Sequence, residues 1–288
     1  MTAVLPDETT TVALRPRFEG ANIRTWVGFK HFMYLAEEAV LAWFRERDAG
    51  PSRLYHEHGL GLVIADASVQ LPAVLDVDDE VTAEARHRGG GEFAVRLTAR
   101  GVPVLRGRVR AALVRTGPAV DVAVPGDVPV VAEVRADAPA PAADAAGTPF
   151  EWRWRAPYFY CQYSQPVQHS GYVRAVEEVV DRFLAARGIS VGRMLDVRGW
   201  IPVVSRASVR VLAAARMEEE IETTFTVTDV LRGTMFDADV RFAVRRDGER
   251  VPVAHARILH GYAISRGPDA GRLAEFDDEV VAALLGTA

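Results

Sequence analysis

Residues 22–50, NIRTWVGFKHFMYLAEEAVLAWFRERDAG, align without a gap with residues 162–190, QYSQPVQHSGYVRAVEEVVDRFLAARGIS, at an offset of 140 positions. The same register sets Val27 over Val167, Glu37 and Glu38 over Glu177 and Glu178, and Trp43 over Phe183, and it continues from Asp79-Glu80 to Glu219-Glu220. An internal repeat of this length means two copies of one structural unit. In the second copy Tyr172, Val173, Val176, Val179, Val180, Phe183 and Leu184 recur at helical spacing, with Gly188 placed to stop the helix. Phe32, Leu35, Ala36, Ala39, Val40 and Trp43 do the same in the first.

Outward from each helix the two copies keep one order of elements. A short alternating segment precedes the loop and helix: VALRPRFEG in the first copy, FEWRWRAPYFY in the second, where Phe150, Trp152 and Trp154 alternate with charged residues as a half-buried strand requires. Four strand-like runs follow each helix. They are GLVIADASVQL, EVTAEAR, EFAVRLTA and VLRGRVRAALV, then ASVRVLAAA, EIETTFTVT, MFDADVRFAVR and VPVAHARILHGYAI, the last two joined by the turn signal Asp247-Gly248. The pattern predicts an α+β fold in which an antiparallel sheet wraps one long central helix, once in residues 1–115 and again in 149–288. Residues 116–148, rich in proline and alanine and poor in periodic apolar residues, read as a semi-extended linker. RLAEFDDEVVAALLG near the end reads as a short amphipathic helix.

The 288 residues are 49% hydrophobic and 25% charged with a net charge of −5, which excludes disorder and argues against a nucleic-acid partner. Cys161 is the only cysteine, so no intramolecular disulfide forms. The opening MTAVLPDETTTVAL has no basic region followed by an apolar one, and no uncharged apolar run is long enough to span a bilayer; the expected location is the cytoplasm, without membrane contact.

FEGANIRTWVGFKHFMYLAEEA resembles the D-x-x-G-H-x-N-N loop and Y-L-R-Y-F-E-E-A-like helix of one branch of the hotdog-fold acyl-thioester hydrolases. HSGYVRAVEE resembles the H-G-G-x-x-x-x-L-A-D/E segment of another, with Ser170 for one glycine. The tandem arrangement is similar to the double-hotdog subgroup. The resemblance implies hydrolysis of an acyl-CoA thioester, with coenzyme A entering only as part of the substrate, no other cofactor and no metal. Where the first branch has its aspartate, this chain has Asn22 and Gln162, and neither amide takes up a proton at neutral pH. The usual Gly-His is Thr25-Trp26 in one copy and Gln165-Pro166 in the other.

The resemblance also assigns Phe29 and His169, aligned at the two helix heads, the backbone N–H that stabilises the oxyanion. Glu178 falls at the helix acid of the second branch and Glu38 is its repeat partner. Arg174 and Arg182 flank Glu178 at four-residue spacing, whereas Glu38 has Tyr34 and Ala42 there, so Glu38 is expected to lack a local cation and to have either a raised pKa or a tertiary role. Hotdog sites form between two subunits, so the resemblance implies that the loop of one half works with the helix of the other. His169 with Glu38 is the favoured combination, and the Asn22 loop with Glu178 is the second. Asn22 and Gln162 are left to orient a water or bind the carbonyl.

Trp26, Tyr160, Tyr163 and Gly171 are the expected substrate-binding residues, and the loop aromatics suggest a bulky apolar acyl group of the kind met in secondary metabolism. His169 also reads as a capping or packing residue, and Cys161 reads as buried packing more than as a nucleophile. YHEHG has no third ligand for a metal and reads as a loop. An acyl carrier protein is a further expected partner, and a homodimer of such chains the expected assembly. A hotdog dehydratase or hydratase and a non-catalytic acyl-thioester-binding protein are the competing functions.

Overall fold

The computed structural model describes residues 9–117, 124–140, 145–163 and 165–287. They form two compact units, Met1–Val134 and Arg135–Ala288. In the first, the strands β1 (Thr9–Leu14), β2 (Leu60–Gln70), β3 (Val81–Gly89), β4 (Glu92–Ala99) and β5 (Val102–Arg115) make an antiparallel sheet in the order β1-β3-β4-β5-β2, and β6 (Val130–Val131) lies parallel to the end of β5. Helix α1 (Phe29–Glu46) packs on β1, β3, β4, β5 and β2. In the second unit β7 (Phe150–Arg155), β8 (Trp200–Val211), β9 (Glu220–Leu231), β10 (Met235–Arg246) and β11 (Glu249–Ile264) run in the order β8-β11-β10-β9-β7, with α3 (His169–Ala186) against them. Each unit is thus the expected sheet around one long helix.

The period of the sequence explains both elements. In β3 and β4, Val81, Ala83, Ala85, Phe93, Val95 and Leu97 alternate inward while Thr82, Arg86, Glu92 and Arg96 point to solvent. Ten of the 18 residues of α1 are buried, including Trp43 and Phe44, because a curved sheet covers more of a helix than one face. Trp43 sits with its ring 5.1 Å from Phe93 and 5.0 Å from His87. In α3, Phe183 packs 4.6 Å from Phe225 and Tyr172 5.3 Å from Phe242. Burying side chains of this size stabilises each unit by about 2–3 kcal/mol apiece.

Two helices escaped the sequence reading. α2 (Pro51–His58) and α4 (Val191–Arg198) follow α1 and α3 at the same offset, each ending at a glycine with left-handed backbone, Gly59 at φ 62° and Gly199 at φ 66°. The YHEHG stretch is therefore the last turn of α2 and not a loop; eight residues carry too little periodicity to stand out. Gly188 follows α3 at φ 74°, as a helix stop requires. The final helix, α5 (Asp278–Leu285), is capped by Asp277, which accepts the Val280 N–H at 3.0 Å.

Of residues 116–148, 118–123 and 141–144 lie outside the described residues. Within the remainder, Val128 is buried, Leu113 donates its N–H to the Pro129 carbonyl, and Ala136 and Gly147 bond to Leu212 and Val227 of the second unit. None of the described helices is long and apolar enough to cross a membrane.

Candidate active site

The head of each long helix is built by a shared set of backbone hydrogen bonds that recurs at the 140-residue offset. A 310 turn, Phe18–Gly20 or Tyr158–Tyr160, ends the segment after the first strand. Its last carbonyl accepts the N–H before the helix: Gly28 to Gly20 at 2.9 Å, Gln168 to Tyr160 at 2.9 Å. The loop is then tied to the turn that leads into the third strand, by Val27 N–H to Leu75 and Val77 N–H to Thr25, matched by Val167 to Ala215 and Met217 to Gln165. That turn is closed by an acid in each copy. Asp79 accepts the Asp76 N–H at 2.9 Å, and Glu219 accepts the Arg216 N–H at 2.7 Å. The alignment of Asp79 with Glu219 thus records one structural role.

Polar side chains differ between the copies. Thr25 donates to Asp76 at 2.6 Å, which holds that carboxyl below its ordinary value. Burial opposes ionisation of Glu219, yet the Arg246 guanidinium at 2.8 Å and the Arg216 N–H prevail and keep its pKa low. Both groups are ionised acceptors that fix the turn.

α1 starts at Phe29 after Gly28, and α3 at His169 after Gln168; neither preceding residue caps the helix with its side chain. The Phe29 N–H has no hydrogen-bond acceptor among the described residues, while His31 N–H already bonds to Gly28. An open amide at the positive end of an 18-residue helix is a ready oxyanion donor. His169 is buried with Nε2 3.1 Å from the Val209 carbonyl. A carbonyl only accepts, so Nε2 carries the proton, and the ring anchors the helix head to β8.

The first turn of each helix packs on its 310 turn through a pair of residues exchanged in size. Gly20 faces His31, and a Cβ on Gly20 would lie 2.9 Å from the imidazole Cγ. At the same two positions of the second copy Tyr160 faces Gly171, where a Cβ would meet the Tyr160 Cβ at 3.1 Å. The expected substrate residues Tyr160 and Gly171 therefore touch each other. Tyr160 also lies 5.9 Å from Trp154 and under Arg174. Trp26 is half-buried beneath Arg24, and Tyr163 is half-buried with left-handed backbone at φ 48°.

The acids do not separate as the sequence reading expects. Glu38 pairs with Arg45 at 2.8 Å, seven residues along α1, and Glu178 with Arg182 at 2.7 Å. Both carboxylates are about half exposed, so the reason for favouring Glu38, an acid without a cation, does not hold. A long arginine reaches two turns along the helix, past the four-residue neighbours of Glu38. Asn22 is exposed, and Gln162 is half-buried with its N–H on the Pro166 carbonyl. Cys161 sits 3.6 Å from the Pro157 carbonyl, and burial pushes its thiol pKa up, the opposite of an activated nucleophile. Among the described residues no three metal-ligating side chains gather.

Known proteins resemble both halves of this arrangement. Residues 159–284 match a family model described as the thioesterase-like superfamily. A candidate oleoyl thioesterase from Lactobacillus plantarum has a similar structure, with a TM-score of 0.62 at 10% identity over 89% of this chain and 97% of that one. A 12:0-ACP thioesterase from Umbellularia californica gives 0.59 at 13% identity over 88% and 94%. No curated protein matches the sequence. Both structural matches run across the two units, so the chain has a tandem hotdog fold, and residues 159–284 of its second unit are similar to the thioesterase-like superfamily.

Proposed function

We propose that the chain hydrolyses an acyl thioester, with coenzyme A as the expected carrier and a bulky apolar acyl group. The observation that carries this reading is the open Phe29 N–H at the head of α1. A thioester carbonyl accepting that hydrogen bond is polarised, and the helix dipole stabilises the oxygen as it gains charge. Water adds to the carbonyl carbon and gives its proton to a carboxylate; the tetrahedral intermediate collapses, and the thiolate leaves and takes up the proton. Glu38 and Glu178, one on each long helix, are the acids that the resemblance singles out to hold that proton. Asn22 and Gln162 hold only an orienting role, since an amide is not a base near neutral pH. Trp26, Tyr160 and Tyr163 favour a large flat acyl group over a short one.

A non-catalytic acyl-thioester-binding protein is the second reading, favoured by Asn22 and Gln162 standing where the resemblance expects an acid. Thiol release from acyl-CoAs graded from short linear to polycyclic acyl groups, followed with a thiol-reactive dye, separates the two. Turnover of the bulky members supports hydrolysis, and its loss in Glu38→Gln or Glu178→Gln identifies the base. Binding by calorimetry without thiol release establishes the binding protein instead.

A further inference from the structure

The outward face of the first unit's sheet carries six exposed arginines, Arg86, Arg88, Arg96, Arg106, Arg108 and Arg110, on three adjacent strands. None of them makes an ion pair or hydrogen bond among the described residues. Arg96 and Arg106 stand directly opposite each other across β4 and β5, an arrangement that repels. Glu84 and Glu92 share the face, opposite Arg96 and Arg110, without coming within ion-pair distance of them.

The second unit supplies an internal control. Every arginine on β10 and β11, the strands equivalent to β4 and β5, is matched to a carboxylate: Arg241 to Asp239, Arg245 and Arg250 to Glu222, Arg246 to Glu219, and Arg257 to Asp237. The same architecture therefore accommodates neutralised arginines, and the first unit has left its own uncompensated. The chain as a whole has a net charge of −5, so the basic face is a segregation of charge and not a surplus.

Arg106, Arg108 and Arg110 repeat at about 7 Å along β5, and neighbouring strands lie about 5 Å apart, which makes an open lattice of positive charge about 14 by 10 Å. A nucleotide site is concave and uses convergent donors, and this sheet surface offers neither. Carboxylates four residues apart on a helix repeat at about 6 Å, close to the arginine spacing. The geometry points to an acidic helix of a partner protein laid on the outward face of the first unit's sheet. Resting on the hydrolase reading above, we infer that this partner is the acidic carrier protein that presents the acyl thioester.

The test compares wild type with R106E/R108E/R110E, three exposed positions without contacts to lose. A fluorescently labelled holo-carrier protein without acyl group reports binding, and the same acyl group on carrier and on coenzyme A reports turnover. The triple variant is expected to raise the carrier Kd and the KM for carrier-borne substrate by about tenfold or more, with coenzyme A kinetics unchanged. Arg257→Ala, on the neutralised face of the second unit, leaves the carrier Kd unaltered. Absence of carrier binding to wild type overturns the inference, as does an equal loss with coenzyme A, which would make the face a nucleotide phosphate site. Preferred binding of anionic vesicles or nucleic acid over the carrier overturns it too. Carrier binding without hydrolysis of either substrate leaves the docking face standing and removes the hydrolase reading.

Discussion

Phe29→Pro deletes the proposed oxyanion donor and nothing else in the backbone. Phe29 is the first residue of α1, a position where proline is tolerated because its missing N–H has no intrahelical partner. Gly28, at φ −70° and ψ 157°, already has the conformation that a residue before proline requires. The chain uses that geometry elsewhere: Gly50, at φ −59° and ψ 153°, leads into Pro51 at the head of α2. No folded-state hydrogen bond is lost, since the Phe29 N–H has no acceptor among the described residues. The buried phenyl ring is lost, at about 3–5 kcal/mol of stability, and Phe29→Ala carries that cost alone while keeping the donor. Relative to Phe29→Ala, removing one oxyanion donor is expected to lower kcat by about 10²–10³. The assay is thiol release at saturating substrate, at a temperature where circular dichroism shows both variants folded. If α3 supplies the working donor, His169→Pro shows the loss and Phe29→Pro does not. Full activity in both proline variants and in their combination refutes oxyanion stabilisation at the helix heads.

Gly171→His should destabilise by about 1–3 kcal/mol through overpacking against Tyr160, and adding Tyr160→Gly should recover a coupling energy of similar size in denaturant titration; additive losses would break the paired-size argument. His260 is buried beside Phe236 with Nδ1 unpaired, and burial alone lowers its pKa from 6.5 to about 3. Between those values the unfolded chain binds the extra proton, so its share of stability is complete above pH 6.5 and is lost at up to about 1.4 kcal/mol per unit as pH falls toward 3. His260→Leu should flatten that part of the pH–stability curve, and an unchanged slope would remove His260 as its source. Cys161→Ser should retain turnover, and the wild-type thiol should alkylate more slowly than a free cysteine; inactivation by the serine would restore the nucleophile reading.

The fold was legible in the sequence because two long helices and ten strand-like runs are each long enough to show their apolar pattern. The 140-residue register gave the helix heads as well, down to the Asp79 and Glu219 turn acids. α2 and α4 were not legible, being eight residues each with one fully buried side chain, Leu54 and Met194. Glu38 was misread because Arg45 lies beyond the four-residue spacing at which helix pairs are ordinarily sought. The size exchange between Gly20–His31 and Tyr160–Gly171 stands in the alignment as two separate mismatches. Only contact between the first helical turn and the 310 turn shows that they are one event.

That exchange bears on how the two copies diverged. A bulky residue entered the helix in one copy and the 310 turn in the other, and each time the facing position is glycine, so the close approach at the helix head was kept while its residues changed. The backbone bonds around it are equally preserved, whereas side-chain polarity is not: Thr25 and Asp76 pair in one copy where Gln165 and Arg216 stand in the other. A helix head held by main-chain bonds keeps an amide donor aimed the same way whatever the loop side chains become. On the proposed reading, amides at Asn22 and Gln162 in place of the aspartate that the resemblance expects leave carbonyl polarisation to the helix head and bear only on the proton transfer. For this reason thiol release by the wild-type chain decides between hydrolysis and binding alone, and the proline variants at the two helix heads, more than any loop substitution, then decide where the carbonyl is polarised.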